Sequence, residues 1–234
     1  LSHDRKIRIR ADDSVMDFYR EEPYMIRRSR GYAPLPYMLS KAWQGQVLAV
    51  GGELKNACCI GHDDRFYPAP YVGDLEDLRT VKALQETITR LTALLEVEPE
   101  LVVADLHPKY NSTMVAHEMK LPMIQVQHHY AHVLSCMAEN DCAGPVIGVS
   151  FDGTGYGTDG TIWGGEILYA DYEHFKRIGS IEPFWHVGGD IASQEGFRIA
   201  VSIIGGLVRE KEKAKNIIKE LELCTEPEAN VILT

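Results

Sequence analysis

A chain of 234 residues with 45% hydrophobic side chains holds enough apolar material for one large domain or two small ones with a real core. Its formal net charge of −10 excludes a broad nucleic-acid footprint, which needs Lys and Arg clustered on one face, so any bound nucleotide is expected to be a small molecule. No run nears the roughly 18 apolar residues that cross a bilayer, and the polar first twenty residues are unlike a secretory leader, so a cytoplasmic address without a membrane partner is expected.

Residues 6–10 (KIRIR) alternate like a half-exposed strand, Asp12, Asp13 and Ser14 follow as a turn, and residues 24–27 read as another short strand. RRSRGYAPLP (27–36) places arginines among Gly and Pro, which makes it either a linker or an anion clamp. QVLAVGG (46–52) reads as a buried strand ending in a glycine turn, and ELKNACCIG as its hairpin partner. Thr80 is the expected cap of a helix whose Val81, Leu84, Ile88, Leu91 and Leu95 recur at helical spacing, and Pro99 its expected end.

LVVAD (101–105) is then a buried strand, HPKYNST a loop, a helix starts near Ser112, and MIQVQ (123–127) is a strand leading into a helix over 128–139. This alternation predicts parallel pairing and an α/β class. VIGVSFDG repeats the strand-then-turn pattern of VLAVGGEL, a hint of internal duplication into two lobes. Residues 161–181 read as antiparallel strands, 191–207 as one apolar helix, and 209–222 as a charged helix with a solvated face. Five cysteines, with Cys58 and Cys59 adjacent and no CxxC spacing, read as reduced thiols. A start at Leu1 within a strand-like stretch suggests a piece of a longer protein.

His128 and His132 lie four apart, so on a helix both imidazoles point the same way and can share a metal ion. Two hydrogen-bonded histidines near a helix start would look the same in sequence. Asp152 ends the next expected strand and precedes GTGYGTDG, whose glycines let backbone amides approach an anion, although Asp-Gly is also a common hairpin turn. Lys55 follows a glycine turn where its ammonium can meet a phosphate. His107, in a loop after LVVAD, is either a catalytic group or an ordinary loop residue, and Asp74 reads as a helix cap before a ligand.

Taken in order, DDSV, RRSRGYAP, GGELKN, GDL, HPKYNST, VQHHYAH and FDGTGYGTDGTIWGGE resemble the HypF carbamoyltransferases, the maturation factors of nickel–iron hydrogenases. The resemblance runs from about residue 10 to about residue 200. It implies the tail of a YrdC-like α+β domain over 1–38, then a first lobe over 39–145 and the start of a second over 146–234. These lobes would have the actin and sugar-kinase-like (ASKHA) fold, with mixed sheets and flanking helices. In that family, carbamoyl phosphate and ATP form a carbamoyl-adenylate, and the carbamoyl group passes to a C-terminal cysteine of HypE.

Residue by residue, the resemblance implies that His128, His132 and Asp152 bind a divalent metal, for which zinc and iron are both suitable. It assigns Asp152, Gly153, Thr154, Gly155, Gly157, Gly164 and Gly165 to the phosphate-binding segment, and Lys55 with Asn56 to a first nucleotide turn. Ser14 and Arg28 resemble adenylate-contacting residues at the end of YrdC-like domains. His107 is the first candidate for a general base. Tyr130 stands where the family usually has a third consecutive histidine, and the family's late aspartate ligand and glycine-rich adenosine motif do not occur before Thr234. Two other readings share these motifs: an O-carbamoyltransferase acting on a small hydroxylated metabolite, and a nucleotide- and metal-binding fragment without turnover.

Overall fold

The computed structural model describes Asp4, Ile9 and residues 12–233, and the strand expected at 6–10 falls almost wholly outside them. The chain divides into two compact units, residues 1–179 and 180–234.

The first unit opens with a hairpin of β1 (Val15–Tyr19) and β2 (Glu22–Arg27). Its two-residue turn is Arg20–Glu21, both at positive φ (51° and 70°), the geometry that matches strand twist. No turn forms at Asp12–Ser14. There the Ser14 hydroxyl bonds across the chain instead, accepting from the Ser29 amide (3.0 Å) and donating to the Arg30 carbonyl (2.8 Å).

A six-stranded sheet follows, built from β3 (Tyr37–Met38), β4 (Gln46–Ala49), β5 (Cys59–His62), β6 (Arg65–Pro68), β7 (Leu101–Asp105) and β8 (Met123–Val126). In space the order is β3-β6-β5-β4-β7-β8. β4, β5 and β6 form an antiparallel meander, whereas β4, β7 and β8 run parallel, in register at Val47 with Leu101 and Val102 with Met123. The parallel strands need helical crossovers. These are α1 (Leu78–Leu95), between the meander and β7, and α2 (Asn111–Glu118), between β7 and β8.

Leu84, Ile88 and Leu91 of α1 lie at i, i+4 and i+7 and pack with Leu48, Val50, Ile60 and Val102 of the sheet layer. Burial of each such side chain contributes about 1.5–3 kcal/mol. The cap of α1 is Asp77, whose carboxylate accepts from the Arg79 amide (2.8 Å), and not Thr80, which lies in the first turn. The helix stops at Leu95 because Glu96 turns left-handed (φ 54°), three residues before Pro99. The hairpin partner of β4 begins only at Cys59. Residues 53–58 are held off the ladder because buried Asn56 donates its side-chain amide to the Val50 and Gly52 carbonyls (2.9 and 2.7 Å).

α3 (His128–Glu139) leads to a three-stranded antiparallel sheet ordered β11-β10-β9, of β9 (Val146–Tyr156), β10 (Ile162–Ala170) and β11 (Phe175–Ser180). Like β4–β6, these three strands follow one another in the sheet in chain order. Tyr130, Val133 and Met137 of α3 pack on Trp163, Leu168 and Ala170. The strand does not end at Asp152. β9 continues through Tyr156, with Gly155 paired to Trp163 and Tyr156 to Ile162, and the chain turns only at 158–161. Ladder bonding to β10 extends GTGY where an irregular loop was expected.

The second unit holds α4 (Asp190–Gln194), α5 (Gly196–Leu207), α6 (Lys211–Glu220) and α7 (Glu226–Ile232). The single apolar helix expected at 191–207 is broken at Glu195 (φ −110°, ψ 80°). α6 is more than a solvated face, since Ala214 is buried and Ile218 is buried with Val201, Ala229 and Ile232. α7 was not anticipated, although Thr225 and Glu228 form the capping box that starts it. Among the described residues no helix is long and apolar enough to cross a membrane.

Gly51 has φ +77°, and a Cβ there would lie 2.5 Å from the Ala57 carbonyl oxygen. Gly51→Ala is therefore expected to lower the unfolding free energy by about 1–3 kcal/mol, read as a lower urea midpoint with unchanged slope. An unchanged midpoint would show that the turn after β4 is not under this constraint.

Candidate metal centre

The carboxyl ends of three parallel strands meet at one edge of the first sheet. β4 delivers the Gly51–Gly52 turn, β7 delivers Asp105, and β8 delivers Gln127 and the start of α3. Ligand sites in open α/β sheets sit at such ends. Gln127 caps α3, its side-chain carbonyl accepting from the Tyr130 amide (2.9 Å). His128 and His132 then follow one turn apart. A Cβ on Gly52 would lie 3.9 Å from His128 Cε1, so the glycine turn runs beside that ring.

His128 Nδ1 is 2.7 Å from Asp105 Oδ2, and the Asp105 side chain is only 6% exposed. With a proton on Nδ1 serving Asp105, Nε2 is the nitrogen that can offer its lone pair to a metal ion in place of a proton. That Nε2 lies 2.8 Å from Asp152 Oδ2 and 3.2 Å from His132 Nε2, and His132 Nε2 lies 3.2 Å from the same Asp152 oxygen. A tetrahedral ion with bonds of about 2.0–2.1 Å separates its ligand atoms by about 3.3 Å. Two imidazoles and a carboxylate at this spacing fit a zinc or iron ion.

Hydrogen bonding to Asp105 raises the His128 pKa against the lowering effect of burial. For Asp152, burial raises the pKa, but the Gly153 amide (2.6 Å) and both histidines outweigh it and the net shift is downward. His129, between the two candidate ligands, is fully buried and points elsewhere. Burial lowers its pKa, and its Nδ1 meets Gln127 Nε2 at 3.1 Å. Tyr130 serves packing, with its hydroxyl donating to the Asp171 carbonyl (2.7 Å) and its ring stacked on Phe175.

His107 stacks on Tyr110 (centroids 4.0 Å apart) and meets the edge of Tyr156 (5.3 Å), and its Nδ1 accepts from the Lys109 amide. Burial, then Asp105, Glu53 and Asp152, push the Tyr110 phenol up to about 12. This aromatic group therefore adjoins the acidic cluster.

The glycines divide by environment. A Cβ on Gly155 would meet the His129 ring at 2.5 Å and one on Gly157 the Trp163 indole at 2.2 Å, whereas Gly153 faces open space and Thr154 is exposed. Gly164 lies against the Asp152 carbonyl, and Gly165 is buried opposite Phe151. In the turn after β4, the Lys55 side chain is exposed while its amide donates to Asp74 Oδ1 (2.7 Å). Asp74 is thus a brace of that turn and does not cap a helix.

Ser14 and Arg28 both brace the 28–35 segment. Arg28 donates to the Leu35 carbonyl (2.6 Å) and lies over the Tyr37 ring, Arg27 lies over Tyr71, and Arg30 pairs with Asp13. The arginines of this segment are thus engaged within the chain. Sequence reasoning missed Asp105, Gln127 and Glu53, which accepts from both the amide and side chain of Asn111 (2.7 Å each). The signals were present as a carboxylate at a strand's carboxyl end and a polar residue just before the HHYAH helix.

The antiparallel meander joined to two parallel strands, with helical crossovers and a candidate metal centre at the carboxyl ends of the strands, is the architecture of an actin- and sugar-kinase-like domain. Residues 42–139 match the family model described as the HypF Kae1-like domain, and residues 148–233 match the carbamoyltransferase Kae1-like domain, second subdomain. The chain belongs to the HypF family. It is 40% identical over 204 residues to carbamoyltransferase HypF of Rhizobium leguminosarum bv. viciae, covering 87% of this chain and 27% of that protein. It is 35% identical over 237 residues to probable carbamoyltransferase HypF of Methanocaldococcus jannaschii, covering 99% and 31%. Full-length HypF crystallised in its phosphate- and nucleotide-bound form superposes with a TM-score of 0.86 at 39% identity, over 96% of this chain and 29% of that one. The chain thus spans between a quarter and a third of these relatives.

In the metal-free chain the pH signs are opposite for the two groups. The contribution of His128, with its raised pKa, is full below the ordinary value of 6.5 and is lost as pH rises through the raised one. That of Asp152 is present above 3.8 and is lost as pH falls through its depressed value. Melting in the presence of chelator should therefore decline as pH climbs past the raised His128 pKa, and His128→Asn should flatten that alkaline limb. A limb unchanged in the variant would rule out the Asp105–His128 contact as its source.

Proposed function

We propose that this chain is the front part of the transferase domain of a HypF-type carbamoyltransferase acting in hydrogenase maturation. On this reading residues 1–38 are the end of a YrdC-like domain, 39–145 the first lobe, and 146–234 the start of the second. The parent protein uses carbamoyl phosphate and ATP to make a carbamoyl-adenylate, and passes the carbamoyl group to the C-terminal cysteine thiolate of a HypE-like acceptor. The observation that carries this reading is the convergence of His128 Nε2, His132 Nε2 and Asp152 Oδ2, backed by Asp105, in a chain of this family.

In the transfer, the thiolate attacks the carbonyl carbon. A carbon–sulfur bond forms, the bond to the phosphate oxygen breaks, and AMP leaves. Negative charge gathers on the carbonyl and departing phosphate oxygens. A divalent ion held by His128, His132 and Asp152 supplies Lewis acidity for that charge when bound. Asp105 keeps the His128 proton on Nδ1, so Nε2 remains a lone-pair donor.

β9 lies at the edge of its sheet and Gly153 faces open space, so a phosphate can approach the chain beside Asp152. Lys55, exposed in the turn beside His128, adds a positive charge. His107 Nε2 is the first candidate to accept the thiol proton, its Nδ1 being engaged by Lys109.

His132→Ala should lower bound metal at least tenfold with little change in melting temperature, because the ring is exposed at the helix surface. Elemental analysis giving equal metal in both proteins would remove the basis of the site. The full-length parent, supplied with carbamoyl phosphate and ATP, should carbamoylate a peptide ending in cysteine. Transfer to a small hydroxylated metabolite and not to the peptide would assign it to O-carbamoylation.

A further inference from the structure

Glu166 is a charged residue only 2% exposed, on the strand next to the one that carries Asp152. Its Oε2 takes Arg177 Nε at 2.5 Å and its Oε1 takes Arg177 Nη2 at 3.1 Å, a two-pronged contact from β11. The same Oε1 accepts the Gly164 amide (3.2 Å). Gly164 is the residue at which the β9–β10 register shifts, since Trp163 pairs with Gly155 but Gly165 pairs with Phe151. It lies opposite Asp152 and Gly153, so close that a Cβ on it would be 3.2 Å from the Asp152 carbonyl oxygen. Bulges of this kind re-aim side chains beside functional sites.

Arg177 also reaches the other end of the hairpin. Its guanidinium lies over the Trp163 ring (4.3 Å) and 3.7 Å from Asp159. Asp159 in turn accepts from the Trp163 indole (3.0 Å) and from the Thr161 amide and hydroxyl, which shapes the 158–161 turn. Burial of the Glu166 carboxylate is offset by these three hydrogen bonds, two from Arg177 and one from the Gly164 amide. One arginine therefore fixes both the bulge opposite Asp152 and the turn at the tip of its hairpin.

We propose that Glu166 and Arg177 are positioning residues for the metal centre, which hold the β9–β10 bulge so that the Asp152 carboxylate sits within reach of His128 and His132. Neither touches a ligand atom. They act through the backbone of Gly164 and Asp152. The inference rests on the metal-centre reading above for its consequence, but its structural content, the placement of Asp152, does not depend on a bound ion.

The test uses Arg177→Lys, which keeps the charge and loses the fork, and Glu166→Gln, which keeps the shape and loses the charge. Zinc affinity is measured on the full chain by competition with a chromophoric chelator, beside amide NMR of the metal-free protein. Both variants should bind zinc about tenfold more weakly, the scale of lost outer support for a ligand. In both, the Asp152, Gly153 and Gly164 amide signals should shift while those of the buried sheet at Leu48 and Val102 stay in place.

Amide signals at Asp152 and Gly153 that are unchanged in a folded Arg177→Lys protein would overturn the proposal, whatever zinc does. Shifted amides with unaltered zinc affinity, where His132→Ala does lose zinc, would overturn the positioning role. If wild type and His132→Ala bind zinc equally, the metal reading has failed on its own account, and the Asp152 amide shifts still decide whether Arg177 places that residue. If Arg177→Lys fails to fold, Glu166→Gln carries the same readouts.

Discussion

The contact between Asp105 and His128 is the constraint on which the candidate site depends. A carboxylate 6% exposed is tolerable only with a good partner, and His128 Nδ1 at 2.7 Å provides it. That single contact fixes the tautomer and plane of His128, and so the direction in which Nε2 points. It also ties the carboxyl end of β7 to the first turn of α3, which joins the first sheet to the helix whose other face packs on the second. His132, one turn further along, and Asp152, across on β9, complete a triangle whose apex Asp105 has already set. Without Asp105 the imidazole could rotate or change tautomer, and the spacing between His128 and His132 would no longer define a site.

The glycines of FDGTGYG need two explanations. Gly155 and Gly157 are small because His129 and Trp163 lie where a Cβ would go, so their first role is close packing of α3 and β10 against β9. Gly153 has no such neighbour and stands beside Asp152 on an exposed edge. A sequence dense in glycine was thus serving packing at some positions and access at another. The same economy appears at His129. Placed between two candidate ligands, it is drawn into the core by Gln127 and by the space Gly155 leaves, so the helix is seated by the residue between those that face outward.

Much of this was legible from residues alone, for reasons that can be named. The 3.6-residue recurrence of Leu84, Ile88 and Leu91 and the short apolar run LVVAD gave a helix and a buried strand because burial follows those periods directly. The spacing of His128 and His132 marked a shared face for the same reason. Local hydrogen bonding that competes with a motif was less visible. Asp77 displaced Thr80 as a cap, the ladder to β10 drew GTGY into a strand, and Ser14 bonded across the chain at the expense of a turn. Asp105 was hidden because a terminal strand carboxylate looks ordinary until the partner 23 residues later in sequence is placed beside it. Arg177 and Glu166 were hidden likewise, being brought together by the pairing of β10 with β11.

The charge balance of the site bears on why a cation belongs there. Asp105 and Asp152 flank His128 directly, and Glu53, Asp105 and Asp152 all act on Tyr110, whose phenol is held in its protonated form far above neutrality. His129 adds no compensating charge, because burial favours its neutral state. In a metal-free protein the deficit falls on His128, which accordingly holds its proton more tightly. But with Nδ1 already protonated toward Asp105, that extra proton must occupy Nε2, the atom that faces Asp152 and His132. Proton and metal therefore compete for one lone pair, and a divalent ion answers two carboxylates where a proton answers one. The raised affinity of His128 for a proton and the fitness of the cluster for a cation are two expressions of the same field.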